Sequence, residues 1–267
     1  MFTGAPFALS ANAVLISGQT DAVLVDTQFI KDDVEVFVDF VKSTGKALRA
    51  IVITHAHPDH YGGMNRFRHA WPETPLLARS GVIDGIREWP AKRVHWQEMY
   101  AGQIPDEMVL PSPLRGGLLM LEDREILIVD LPVCETVHAT AFYVPSAKVF
   151  VTGDLVFNRF HGYMADTNNP TSWISGIEMA RNLGPIDHVF PGHGVIGGPE
   201  LFQAQIGWLE AYREIAKPGV PVRIIATKMT ERFPDFGLPL LLWLTRGPGF
   251  GLHGWKELGV PPALMGA

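Results

Sequence analysis

Cysteine is nearly absent: Cys134 stands alone in 267 residues. A single thiol excludes a disulfide framework and any thiolate-rich zinc cluster. Positive charge is in deficit too, with 22 Lys and Arg against 28 Asp and Glu, for a net charge of −6. That balance argues against a nucleic-acid partner, which selects for a basic stripe. Long apolar runs are missing as well. The longest candidate, 238–244, is interrupted by Pro239 and is too short to cross a bilayer, so no membrane association is expected. No basic residue precedes Lys31, whereas a secretory signal sets positive charge ahead of its apolar stretch. The start therefore reads as mature protein and the chain as cytoplasmic. What is present is apolar mass, 47% of residues, enough for a sizeable core. Ten histidines are also present, and their placement carries the information.

The hydrophobic pattern divides the chain into two batches of strands and helices. Segments 11–17 and 22–26 read as a hairpin, and 32–43 as a helix with Val34, Phe37, Val38 and Val41 on one face. Segment 50–54 is a buried strand that runs directly into His55, followed by a short helix over 62–70 and a strand at 76–78. The Pro-, Gly- and Trp-containing stretch 79–118 has a weaker pattern and reads as an insertion or lid. Order returns with strands at 125–131, 141–144 and 149–152, a helix over 171–183, a strand at 187–190 and an amphipathic helix over 199–216. The rest, 217–267, is a C-terminal extension of a single domain spanning 1–267. Such alternation indicates a layered α/β fold.

The chemistry concentrates at strand ends. In His55-Ala56-His57-Pro58-Asp59-His60, residues two apart in an extended segment point the same way, so His55 and His57 can grip one metal ion. The chain then turns, which lets Asp59 and His60 face a second. His138, Asp154 and His193 each lie at or soon after the end of a later strand, where they can converge with the first group. Imidazole and carboxylate donors without thiolate suit zinc, with iron or manganese as alternatives.

The segments ITHAHPDHYGG, VTGDLVF and FPGHG, in that order, resemble the metallo-β-lactamase superfamily over about residues 10–200. The resemblance implies a four-layered αββα sandwich and a dinuclear centre, two zinc ions per chain. His55, His57 and His138 would hold the first ion, Asp59, His60 and His193 the second, and Asp154 would bridge them. Relatives often read Gly-His-Thr-Pro-Gly-Ser at the third ligand. Here the stretch is Val137-His138-Ala139-Thr140, and the strand–turn–strand leading into Asp154 keeps His138 in the expected set.

The implied reaction is hydrolysis, with a metal-bridging hydroxide attacking the carbonyl of a small ester, lactone, thioester or amide. Asp59 would orient that nucleophile or shuttle its proton. Tyr61, Phe157 and His161 are the candidate substrate contacts, with Asn158 and Tyr163 nearby. Asp154 and the absence of a secretory signal disfavour a true β-lactamase, and Phe157 stands where the acyl-homoserine lactonases carry a catalytic Tyr. No clear equivalent of the basic glutathione-binding residues of glyoxalase II is visible. The competing reading is a mononuclear iron enzyme like the persulfide dioxygenases. The expected partner is a small molecule, with a homodimer left open through the PLLLWL stretch.

Overall fold

A computed structural model describes residues 1–244, the side chain of His95 excepted; His253 and the 245–267 part of the expected C-terminal extension lie outside the described residues. The first half runs β1 (Phe2–Thr3), β2 (Asn12–Ser17), β3 (Asp21–Val25), α1 (Lys31–Ser43), β4 (Ala47–Ile53), α2 (Pro58–Tyr61), α3 (Met64–Ala70), β5 (Leu76–Ala78), α4 (Ser80–Arg87), α5 (Trp89–Met99) and β6 (Ser112–Pro113). The second runs β7 (Leu118–Leu121), β8 (Arg124–Asp130), β9 (Thr140–Val144), β10 (Val149–Phe157), α6 (Pro170–Arg181), β11 (His188–His193), α7 (Glu200–Ile215), α8 (Val222–Arg232) and α9 (Leu240–Trp243).

Two sheets result, ordered β1-β2-β3-β4-β5-β6 and β11-β10-β9-β8-β7. The alternation of side chains along each strand decides how they stack. Val23, Val25, Ala50 and Val52 of the first sheet meet Ile126, Ile128, Phe142, Val144 and Val151 of the second in one shared core. Their neighbours Leu24, Ile51 and Ile53 point the other way, against Val34, Phe37 and Val38 of α1. On the second sheet Val129, Ala141, Tyr143 and Phe150 turn outward onto Trp173 and Ile177 of α6 and Phe202, Ile206 and Leu209 of α7. Strands buried on both faces need apolar residues at every position, which explains the unbroken AIVI and FYV runs. The product is the expected αββα sandwich.

Segment 79–118 supplies α4, α5 and β6. Its Val82, Ile83, Ile86, Trp89 and Trp96 join the core that covers the first sheet. The 149–152 strand continues past Asp154 to Phe157. Register shifts on either side of Gly153, whose φ is +50°, let it curve while still pairing with β11.

The sandwich is stitched together along one edge. The Thr140 amide donates to the Thr54 carbonyl at 2.9 Å, joining the end of β4 to the start of β9. The buried Asn12 side chain donates to the carbonyls of Pro191 (2.9 Å) and Gly194 (2.7 Å), tying β2 to the loop end of β11. These cross-links bring together the strand ends that carry the histidines.

Candidate metal centre

Seven buried or half-buried donors converge at that edge in two groups: His55, His57, Glu135 and Asp154, and Asp59, His60 and His193. His55 follows β4. Asp59 and His60 ride on the single turn of α2, which begins at Pro58, a residue suited to the first helical position because no amide is needed there. Asp154 lies within β10 and His193 ends β11. The Asp154 carboxylate stands between the groups. Its Oδ1 is 3.2 Å from His60 Nε2, and its Oδ2 is 3.6 Å from His55 Nε2 and 3.4 Å from His193 Nε2. Gly192 makes this approach feasible, since a β-carbon there would overlap Asp154 Oδ1.

The hydrogen bonds behind the imidazoles settle which nitrogens face inward. His60 Nδ1 donates to Asp26 Oδ2 at 2.8 Å, and His193 Nδ1 donates to the Leu9 carbonyl at 2.8 Å. The Thr54 hydroxyl donates to Asp26 at 2.8 Å, so it can only accept from His55 Nδ1, 2.9 Å away. His57 is held the other way round, with Nε2 at 3.0 Å from Asp166 Oδ2. Each ring thus commits its outer N–H and turns the remaining nitrogen toward the centre, as metal-binding histidines do. His55 Nε2, His60 Nε2, Glu135 Oε2 and Asp154 Oδ1 are buried without a hydrogen-bond partner. Buried polar atoms are rarely left so, and four converging orphans from a neutral-nitrogen and carboxylate donor set fit divalent metal ions.

Charge tells the same story. Burial opposes a proton on His57, but the Glu135 and Asp166 carboxylates override it and hold the ring well above the usual histidine range. His60 is likewise raised well above that range against its burial, by Asp154, Asp59 and Asp26. His55 goes well below it through burial and the neighbouring His60. Asp154 is held far below the ordinary carboxylate range despite burial, because His60, His193 and His55 surround it. The carboxylates gathered around the rings make the centre a place that favours positive charge, which suits divalent cations.

Three contributors were not visible as site residues in the sequence. Asp26, at the end of the hairpin, adopts a left-handed backbone (φ +64°) and collects the Thr54 amide, the Thr54 hydroxyl and His60. Asp166 sits in a loop with no pattern of its own. Glu135 is the third, and it corrects an expectation: the geometry groups Glu135, and not His138, with His55 and His57. His138 is exposed, with its ring packed against Gly81 of α4. If Gly-His-Thr-Pro-Gly-Ser is laid on Cys134–Ala139 without a gap, Glu135 falls on the His and Thr136 on the Thr. That register was the signal available.

The centre opens into a cavity of about 570 Å³. One wall comes from the 79–118 segment through Asp84, Glu88, Lys92 and Trp96, and the other from Thr136, His138, Tyr163 and Asp166. Tyr61, Phe157 and His161 are not among its lining residues. Tyr61 is buried beneath the site against Trp89, and Phe157 stacks on His193 with ring centroids 5.0 Å apart. His161 is buried among Trp208, Phe233 and Phe236, accepts from Trp208 Nε1 at 3.2 Å, and is lowered by burial to about 4. All three expected substrate contacts are buried packing residues: Tyr61 on α2, Phe157 at the end of β10 and His161 in the turn after it. Cys134 is also buried, and burial raises its thiol to about 12, which leaves it inert at neutral pH.

The sequence profile of the metallo-beta-lactamase superfamily matches residues 6–226, which contain every strand except β1 and all seven donors. The chain belongs to this superfamily. Among curated relatives it is 24% identical over 218 residues to a hydroxyacylglutathione hydrolase of Synechococcus sp. (strain JA-3-3Ab), covering 78% of each chain. Among solved structures it is similar to a metallo-beta-lactamase from Pontibacter korlensis, with a TM-score of 0.62 at 20% identity, over 75% of this chain and 87% of that one. It is also similar to TTHA1623 in a di-iron-bound form, with a TM-score of 0.59 at 26% identity, over 76% and 96% of the two chains. Superfamily membership and the clustered donor groups support a metallohydrolase. No helix among the described residues is long and apolar enough to cross a membrane.

Proposed function

We propose that this protein is a dinuclear metallohydrolase that cleaves a small acyl ester or thioester, with lactones and amides as related substrates. The observation that carries the reading is the convergence of two donor groups, both with inward-facing orphan atoms, at the floor of one cavity. The second group is as buried as the first, which favours two ions over the single iron of a dioxygenase-like enzyme. Two divalent ions held there, zinc, iron or manganese, would supply an acidified water and a positive centre for the carbonyl oxygen.

The chain's own residues do the rest. Asp59 Oδ2 lies 3.4 Å from His193 Nε2 and 3.7 Å from His60 Nε2, close enough to orient the attacking water and hold its proton. Tyr163 lies edge-on to His57 (centroids 5.2 Å apart) and walls the cavity beside Asp166. The outer cavity is acidic, with Asp84, Glu88 and Asp166 around Lys92, whose ammonium donates to the carbonyls of Ala56 (3.1 Å) and Gly85 (3.3 Å). A neutral or cationic acyl compound suits that wall better than a polyanion. The relative's hydroxyacylglutathione activity supports the thioester bond class, while the acidic wall argues for a different thiol portion.

A panel of esters, thioesters, lactones, amides and β-lactams, assayed on metal-loaded protein, tests the reading. Turnover is expected on neutral or cationic esters or thioesters, and His57→Ala should abolish it. Protein that holds two ions yet hydrolyses nothing on the panel, or that consumes oxygen with a persulfide, would overturn it.

A further inference from the structure

We propose that Glu135, rather than His138, completes the first metal site, and that this carboxylate shifts the site's preference from zinc toward iron(II) or manganese(II). The inference takes from the preceding reading only that the cluster binds metal; it does not depend on hydrolysis.

The geometry begins with the loop between β8 and β9. Its base closes through the Leu131 amide, which donates to the Ala139 carbonyl at 3.0 Å. The Cys134 amide donates to the Thr136 carbonyl at 3.1 Å, and the Thr167 hydroxyl donates to the Cys134 carbonyl at 2.5 Å. With Cys134 buried and the Thr136 hydroxyl donating to the His138 carbonyl at 3.1 Å, the residue between Cys134 and Thr136 is turned into the site and His138 is turned out. Glu135 is 2% exposed, and its Oε2 lies 3.1 Å from His57 Nδ1 and 3.5 Å from His55 Nε2. These are the two ring nitrogens left free by Asp166 and Thr54. Glu135 Oε2 has no hydrogen-bond partner of its own. A buried carboxylate oxygen without a hydrogen-bond partner, set beside the inward nitrogens of two histidines, fits the role of a metal ligand.

The chemical consequence follows from the donor count. With Glu135 the two groups carry three carboxylates (Glu135, Asp154 and Asp59) and four imidazoles. The first site then has two imidazoles and two carboxylates, where a histidine at that place would make it three and one. Carboxylate oxygen is a harder donor than imidazole nitrogen, and two histidines with carboxylate are the donor pattern of non-haem iron sites. The added negative charge also offsets more of the two ions' combined positive charge, which favours a metal able to reach the trivalent state. Zinc gains least from either change.

The test uses the full chain, metal-depleted, then titrated separately with Zn²⁺ and Mn²⁺ by calorimetry, with elemental analysis of the loaded protein. Thermal unfolding and circular dichroism confirm that each variant is folded. Wild type and His138→Ala are both expected to hold two ions with affinities within about twofold of each other, the range of a residue outside the site. Glu135→Gln should hold one ion tightly, with first-site affinity down by more than the ~10–100-fold that outer partners carry. Glu135→His should restore two ions and raise the zinc-over-manganese affinity ratio by about tenfold, since it returns an imidazole to the site. If Glu135→Gln fails to fold, Glu135→His still decides the question through that ratio. The proposal is overturned if His138→Ala loses an ion, or if Glu135→His leaves the ratio at its wild-type value. Wild type that holds no ion overturns this proposal and the two-metal reading together; wild type that holds two ions without hydrolysing anything overturns only the function.

Discussion

The two donor groups are built by different means. In the second, Asp59 and His60 share one helical turn and His193 ends a strand, and behind them stand Asp26 and the Leu9 carbonyl, both fully buried against the first sheet. In the first, His55 has the same kind of support through Thr54, but His57 is half-buried and leans on Asp166 at the cavity wall, and Glu135 comes from a loop. A site framed by regular elements inherits their rigidity. One framed partly by loops can change a donor without disturbing a sheet, so a substitution at Glu135 should leave the strands that carry the other donors in place.

Three substitutions bear on that contrast, in falling order of effect. Asp154→Ala removes the carboxylate that both groups share. It should erase the difference between them, lowering affinity at each site by more than ~100-fold, beyond the range of outer partners, as read by metal titration. Asp26→Ala should weigh on the second group first, because His60 bonds it directly and His55 only through Thr54. An affinity loss of about 10–100-fold is expected there. Thermal unfolding should show a further cost of about 1–3 kcal/mol, from the Thr54 amide left buried without its acceptor. Asp166→Asn should act on the first group alone, with an affinity loss of about tenfold and the second site unchanged. Equal losses at both sites would show that the two groups are mechanically one.

The parts of this picture that were legible in the sequence share a physical origin. The strand at 50–54, the HxHxDH cluster that follows it, the helix over 32–43 and the donors Asp154 and His193 are local patterns: alternation, helical spacing, and ligand types at fixed offsets from a strand end. Asp26 and Asp166 are single carboxylates, and 28 acidic residues make any one of them unremarked until its partner in space is known. His161 beside Asp154 invited a role in the pocket, yet its neighbours Trp208, Phe233 and Phe236 lie more than forty residues away along the chain.

Glu135 and His138 mark the boundary most sharply. Three residues apart in one loop, both are metal-ligand types, and composition prefers the histidine. By itself the sequence determined the superfamily and the αββα layering and pointed to six of the seven residues in the two donor groups, because those reside in periodicity and in short motifs attached to strand ends. Only the tertiary structure brought Glu135 beside His55 and His57, along with the outer partners and the shape of the cavity. The reason is that a loop's facing is set by long-range anchors: Cys134 held by Thr167, and His138 pressed on Gly81. None of these contacts has a signature in the residues that the loop itself contains.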